Sequence, residues 1–178
     1  MKRKIEQVIA IPSGIQCSYE SGVLSCRKDS AEISRIIKIP GISISVSGDS
    51  IIMKADEGSK NEGKIMASFI KHIDNIFHGL NNKFVYELES CNVHFPMTLK
   101  IEGGNLAISN FLGEKVPRYA KILPHVNVSI KGNMITIESH DKDIAGQTAA
   151  NFEKATRVKK RDRRVFQDGI YITKKPGD

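Results

Sequence analysis

The chain repeats itself. Residues 15–26, IQCSYESGVLSC, lie over residues 97–108, MTLKIEGGNLAI, at an offset of 82 with no gap. Each copy reads as two alternating runs around a two-residue turn, Ser21-Gly22 in the first and Gly103-Gly104 in the second. Such dipeptides accept the positive φ that a tight hairpin demands. A second pair follows: ISVSGDSIIM at 44–53 matches VSIKGNMITI at 128–137, with turns at Gly48-Asp49 and Gly132-Asn133. Apolar and polar residues alternate, so every strand has one wet and one buried face. The repetition limits the available folds, because each half must build the same unit and bury its own core.

One helix follows in each half. In the first, Ile65, Phe69, Ile73 and Phe77 recur every four residues, and Met66, Ile70 and Ile76 widen the stripe. In the second, Ile144, Ala145, Thr148, Ala149, Phe152 and Ala155 form the stripe, with Asp143 as the expected N-cap. Gly63 and Ala67 fall on Gly146 and Ala150, and matched small residues imply that both helices approach a sheet closely. Strands grouped before a helix indicate an α+β fold. The expectation is two duplicated domains, each of small antiparallel β-sheets packed with one α-helix. They cover residues 1–81 and 82–178, joined by a polar linker at Gly79–Lys83. Gln7–Ile11 and Phe84–Leu88 read as the leading strand of each copy.

The repeat also frames the cysteines. Cys17, Cys26 and Cys91 are odd in number and form no CxxC pair, which argues against a disulfide framework or a zinc site. A two-residue turn sets Cys17 opposite Cys26, as Leu99 stands opposite Ile108. They read as small apolar side chains; a cross-strand disulfide is the alternative and needs an oxidising compartment.

Charge is distributed unequally. Residues 154–178 carry nine basic and three acidic side chains, against 18 and 17 in residues 1–153. Five cations crowd into 159–164: Lys159, Lys160, Arg161, Arg163 and Arg164, with Lys154 and Arg157 just before. Helix-dipole stabilisation accounts for Lys154 and Arg157. It does not account for the cluster, which calls for a polyanion such as RNA. Neutralising six phosphates of a duplex would give a log K versus log salt slope of about −5. Aromatics are sparse, with seven Phe, four Tyr and no Trp, so backbone and shape recognition of folded RNA is expected in place of base stacking. Phe166 and Tyr171 flank Asp168-Gly169, read as a turn, and are expected to anchor the tail. A second candidate surface is the loop NFLGEKVPRYAK at 110–121, with Lys115, Arg118 and Lys121 spaced by three. Lys2, Arg3 and Lys4 read as a solubilising start.

Several classes receive no support. No Walker loop, GxGxxG, GxSxG, HxxxH or Cys/His cluster is present. No catalytic residue, metal-ligand set or cofactor site emerges. No apolar run approaches the roughly 20 residues a membrane span needs, and Glu6 and Gln7 interrupt the only signal-like start, so a cytosolic protein is the expectation. From the residues alone, an enzyme gripping an anionic substrate and a protein-interaction module with a basic tail remain as alternatives to an RNA-binding protein.

The runs NVHFPMTLKIEGG, NFLGEKVPR and GQTAANFEKATRVKKRDRRVFQDGIYI resemble the ribosomal large-subunit protein family numbered six, in its archaeal and eukaryotic branch. The resemblance covers nearly the whole chain. It implies two similar α+β domains and no catalysis. It also implies binding to large-subunit ribosomal RNA near the sarcin–ricin loop and stalk base, beside other ribosomal proteins in the cytoplasm. Carried onto this chain, the RNA-facing positions are Lys115 and Arg118 in the loop, and Arg157, Lys159, Lys160, Arg161, Arg163 and Arg164 in the tail; Lys154 joins them on charge. Two departures stand out: Tyr119 replaces a frequent second arginine, and His125 stands after Pro124 where glycine is common.

Overall fold

A computed structural model describes residues 3–29 and 31–177. Lys2 of the basic start lies outside the described residues, as does the side chain of Arg3. The chain divides into two compact units, Met1–Lys83 and Phe84–Asp178.

Unit 1 runs β1 (Arg3–Ala10), β2 (Gln16–Glu20), β3 (Val23–Lys28), β4 (Ala31–Ile36), β5 (Ser43–Ser47), β6 (Ser50–Gly58) and α1 (Lys60–Asn81). Its strands form two antiparallel sheets, ordered β1-β6-β5 and β2-β3-β4. Unit 2 repeats this with β7 (Phe84–Cys91), β8 (Thr98–Glu102), β9 (Asn105–Ser109), β10 (Arg118–Lys121), β11 (Asn127–Lys131), β12 (Met134–Ser139) and α2 (Lys142–Ala155). Its sheets are β8-β9-β10 and β11-β12-β7-β13, where the added edge strand β13 spans Gly169–Lys174. The α+β reading of the sequence describes this architecture.

Turn chemistry sets the register. Ser21 and Gly22 have φ of 52° and 86°, and Gly103 and Gly104 of 55° and 77°, the two positive values of a type I′ turn. In the second hairpins, Gly48 and Gly132 alone are positive, at 55° and 59°, as in type II′. The copies share finer details as well: Ile37 N donates to Gly22 O at 2.8 Å, and Ile122 N to Gly104 O at 3.1 Å. His125 takes φ 60°. The turn thus keeps the left-handed backbone that glycine adopts freely, and Ser139 Oγ holds it by donating to His125 O at 2.9 Å.

Three strands lack a signal in the alternation. β4 and β10 complete the three-stranded sheets, so the end of the expected loop 110–121 is strand: Arg118 pairs Ile108, and Ala120 pairs Leu106. β13 pairs β7 along its free edge and has no counterpart among the described residues of unit 1. Asp168-Gly169 is correspondingly not a turn, because Gly169 opens β13.

Helix α1 begins at Ser59, whose capping box with Glu62 satisfies backbone N–H groups at the helix start. It buries Met66, Ile73, Ile76, Phe77 and Leu80, while Ile65 is exposed. The buried stripe therefore starts at Met66, one residue after the Ile65 expected from the periodicity. The helix continues through Asn81 and buries Gly79 and Leu80, so most of the expected linker is helix. In α2 the N-cap is Asp141, not Asp143; its carboxylate accepts from Asp143 N at 2.8 Å. Ala145, Thr148, Ala149 and Phe152 are buried against the sheet. Fully burying a side chain such as Phe152 contributes roughly 2–3 kcal/mol. Close approach holds for α2, where a Cβ on Gly146 would lie 2.8 Å from Tyr86 Oη. It fails for α1, where the nearest atom to a Cβ on Gly63 is 3.9 Å away. Separate apolar clusters centre on Leu24, Ile51, Met53 and Ile73 in unit 1, and on Leu88, Leu106, Ile137 and Phe152 in unit 2.

Candidate nucleic-acid interface

Three segments of unit 2 form its candidate surface: the β7–β8 connection, the β9–β10 connection, which is longer than its counterpart in unit 1, and the chain between α2 and β13. They meet. Asn110 Nδ2 donates to Pro96 O at 3.0 Å, tying the first two. Asp168, with its side chain fully buried, accepts from Val93 N and His94 N at 2.9 Å each, and faces His94 Nδ1 at 2.6 Å. That joins the first to the third. The His94 ring stacks on Phe166 at 4.8 Å between centroids. Burial pushes the Asp168 carboxyl upward, but the His94 and Val93 N–H groups and the His94 ring outweigh it and hold Asp168 below the ordinary aspartate value.

The basic tail is built onto this base. Thr156 Oγ1 accepts from Ile170 N at 2.9 Å and donates to Phe152 O at 3.3 Å. Val158 joins the core of unit 2. Between these anchors, Asp162 organises a turn by accepting from Arg164 N at 3.0 Å, while its backbone O accepts from Phe166 N at 2.9 Å. Lys160 takes φ 57° and is exposed. The tail is therefore an irregular loop pinned at both ends.

The candidate cations divide by what already holds them. Lys115, Lys154, Arg157, Lys159, Lys160, Arg161, Arg163 and Arg164 are all exposed. Among the described residues, no ion pair engages Lys115, Lys154, Arg157, Lys159, Lys160 or Arg163. Arg161 lies over the Phe166 ring at 4.7 Å, so its plane is positioned while its edge stays in water. Arg164 pairs with Asp162 at 2.9 Å; this contact lowers the Asp162 carboxyl and raises the Arg164 guanidinium.

Arg118 differs. Its Nε donates to Glu114 Oε2 at 2.7 Å, Nη2 to Glu114 Oε1, and Nη1 to Ala155 O at 2.8 Å, while Cζ lies 4.3 Å over Phe111. It clamps the β9–β10 loop to the C-terminus of α2. Its hydrogen bond holds Glu114 below the usual carboxylate range, against some burial. The structure brings Lys115, Arg118 and Arg161 to one neighbourhood through Glu114, which feels both arginine charges. An open hollow of about 520 Å³ adjoins the tail, lined by Cys91, Val93, Arg163, Arg164, Gln167 and Tyr171.

Sequence reasoning missed the positioning roles of Asp168, His94 and Glu114, which hold the segments that carry the exposed cations. Glu114 had a usable signal, an acid four residues before Arg118. The Asp168–His94 pair is separated by 74 residues and had none. Among the described residues, no cluster of three or more metal-ligating side chains occurs, and no helix is long and apolar enough to cross a membrane.

The sequence model of the family described as ribosomal protein L6 matches residues 95–169, which hold the β9–β10 connection, the basic tail and the end of the β7–β8 connection. A large ribosomal subunit protein uL6 from Methanosarcina mazei is 38% identical over 98% of this chain and 99% of its own length. Proteins of the same description from Haloarcula marismortui and Methanococcus vannielii are 37% and 35% identical, covering 94% and 97% of this chain and 94% and 95% of theirs. Identity at that level along both repeats means that the chain belongs to the L6 (uL6) family of structural, non-enzymatic proteins of the large ribosomal subunit.

Proposed function

We propose that the protein is a structural constituent of the large ribosomal subunit that binds large-subunit rRNA through unit 2. In this reading it supports the translation-factor region near the sarcin–ricin loop and stalk base, with ribosomal proteins as neighbours, in the cytoplasm. The observation that carries the reading is the arrangement of Lys159, Lys160, Arg161 and Arg163: exposed cations on a loop pinned at both ends by buried contacts. Pre-ordering the loop lowers the entropy cost of docking a phosphate strand. Arg161 and Arg163 offer bidentate phosphate contacts, and Lys159, Lys160 and Lys115 act as point charges. Backbone contacts of this kind fix position and register on RNA without reading bases.

Chemical footprinting of large-subunit rRNA with and without the protein tests the site. Protection should fall on the sarcin–ricin and stalk-base region, and protection confined elsewhere would overturn the location. Lysate sedimentation tests the class. The protein should travel with large subunits and leave them only at high salt, whereas an enzyme or adaptor would stay in the soluble fraction.

A further inference from the structure

The first hairpin of unit 1 carries two sulfur atoms that play no part in the RNA-binding surface proposed above. Cys17 on β2 and Cys26 on β3 are direct register partners. Their Sγ atoms are 2.7 Å apart and both thiols are free. The turn fixes the kind of pair they make. Glu20 and Val23 flank the two-residue loop, and hydrogen-bonded and non-hydrogen-bonded pairs alternate outward from there. Cys17 and Cys26 fall on a non-hydrogen-bonded position, where facing Cα atoms are about 4.5 Å apart and side chains stand closest. That spacing lies within the range a disulfide can bridge.

The two sulfurs differ in access. β2 is the edge strand of its sheet and Cys17 is half-buried; Cys26, on the central strand, is fully buried in the unit 1 core. A dissolved reagent meets Cys17 first. The contact also polarises the pair: the hydrogen bond from Cys26 lowers Cys17, against burial, and the same contact, burial and the Cys17 charge raise Cys26.

We propose that Cys17 and Cys26 form a reversible thiol–disulfide couple, with Cys17 attacking a low-molecular-weight disulfide and Cys26 resolving the adduct. In the first step the Cys17 thiolate attacks one sulfur of the small disulfide and breaks its S–S bond. The expelled thiolate takes up the proton that Cys17 released. In the second step Cys26 Sγ attacks Cys17 Sγ, the mixed disulfide breaks, and the second small thiolate leaves with the Cys26 proton. Two protein thiols lose two electrons in total, and one small disulfide becomes two thiols. A reducing cytosol keeps the pair as thiols at rest, and an oxidative excursion closes it into a staple across β2 and β3.

The test uses the full chain, oxidised glutathione as probe, and alkylation with N-ethylmaleimide before mass spectrometry. Cys91, pushed up by burial and by the Glu89 and Asp168 charges, is the internal comparison. The expected product has lost two hydrogens, is alkylated at Cys91 alone, yields a Cys17–Cys26 cross-linked peptide, and reverts with dithiothreitol. Cys26→Ala should stop at a glutathione adduct on Cys17. A stable glutathione adduct on Cys17 of the native wild-type chain, preferential reaction at Cys91, or closure only in urea would each overturn the proposal. RNA affinity is not part of this readout, so the outcome bears on the couple independently of the rRNA reading.

Discussion

Asp168 concentrates much of what holds unit 2 in shape. One buried carboxylate satisfies two backbone N–H groups and the His94 ring, and so fastens the β7–β8 connection to the tail. Removing a buried charged acceptor leaves its donors unpaired, which costs about 2–4 kcal/mol; Asp168→Ala should show that loss in urea unfolding monitored within unit 2. Because the folded carboxyl lies below its ordinary value, its contribution is present above the unfolded aspartate pKa. It is lost as pH falls through the depressed folded value. Urea midpoints measured from neutral to acid pH should therefore drop more steeply for the wild type than for Asp168→Asn. Gly146 makes the opposite kind of demand, for emptiness. An alanine there places Cβ 2.8 Å from Tyr86 Oη and 3.3 Å from its Cζ, on a ring that is itself buried. Overpacking of this kind costs about 1–3 kcal/mol and outweighs the roughly 1 kcal/mol of helix propensity gained. Gly146→Ala should lower the unfolding midpoint in the wild type. In a Tyr86→Phe background, without the hydroxyl, the loss should be markedly smaller, since only the 3.3 Å contact with Cζ remains.

At the scale of elements, the loop between β9 and β10 owes its shape to one arginine. The family resemblance carried Arg118 over as an RNA-facing position in a Gly- and Pro-punctuated loop. The structure places it at the start of a strand, with donors directed to Glu114 and to the carbonyl of Ala155, the last residue of α2. Arg118→Ala should cost unit 2 about 1–2 kcal/mol. It should speed amide exchange across residues 110–117, and a lysine should not rescue it because an ammonium cannot form the fork. The tight hairpins and the helical stripes were legible, since Gly-containing turns and apolar periodicity act within a few residues; the caps at Ser59 and Asp141 were not. Nor were the extra strands. β4, β10 and β13 lack clean alternation, and each is a strand because a neighbour offers it a free edge.

At the scale of the molecule, duplication and charge clustering have been separated. Both units share one plan and nearly the same net charge, but the longer β9–β10 connection and the dense run of cations at 154–164 belong to the second. Replacing Lys159, Arg161 and Arg163 with Ala, and Lys160 with Asn to respect its left-handed backbone, should weaken rRNA binding. Its salt dependence should flatten by about one unit of slope for each phosphate no longer neutralised. Filter binding across a salt series measures both. Circular dichroism should be nearly unchanged, because the pins at Thr156, Val158 and Asp168 remain. Unchanged affinity would transfer the main RNA-binding role to another surface.

What the sequence settled by itself was local or periodic: the twofold repeat, the four hairpins and their turns, the helical periodicity, the facing cysteines and the cationic stretch. Each rests on residues a few positions apart, or on a period that any core must obey. Only the tertiary structure decided which cations are spent inside the protein and which face water, that the basic loop is pinned rather than loose, and that Asp168 is a buried acceptor rather than a turn residue. Those outcomes depend on groups brought together from distant parts of the chain, and a buried charge takes its role from the partners that replace its water.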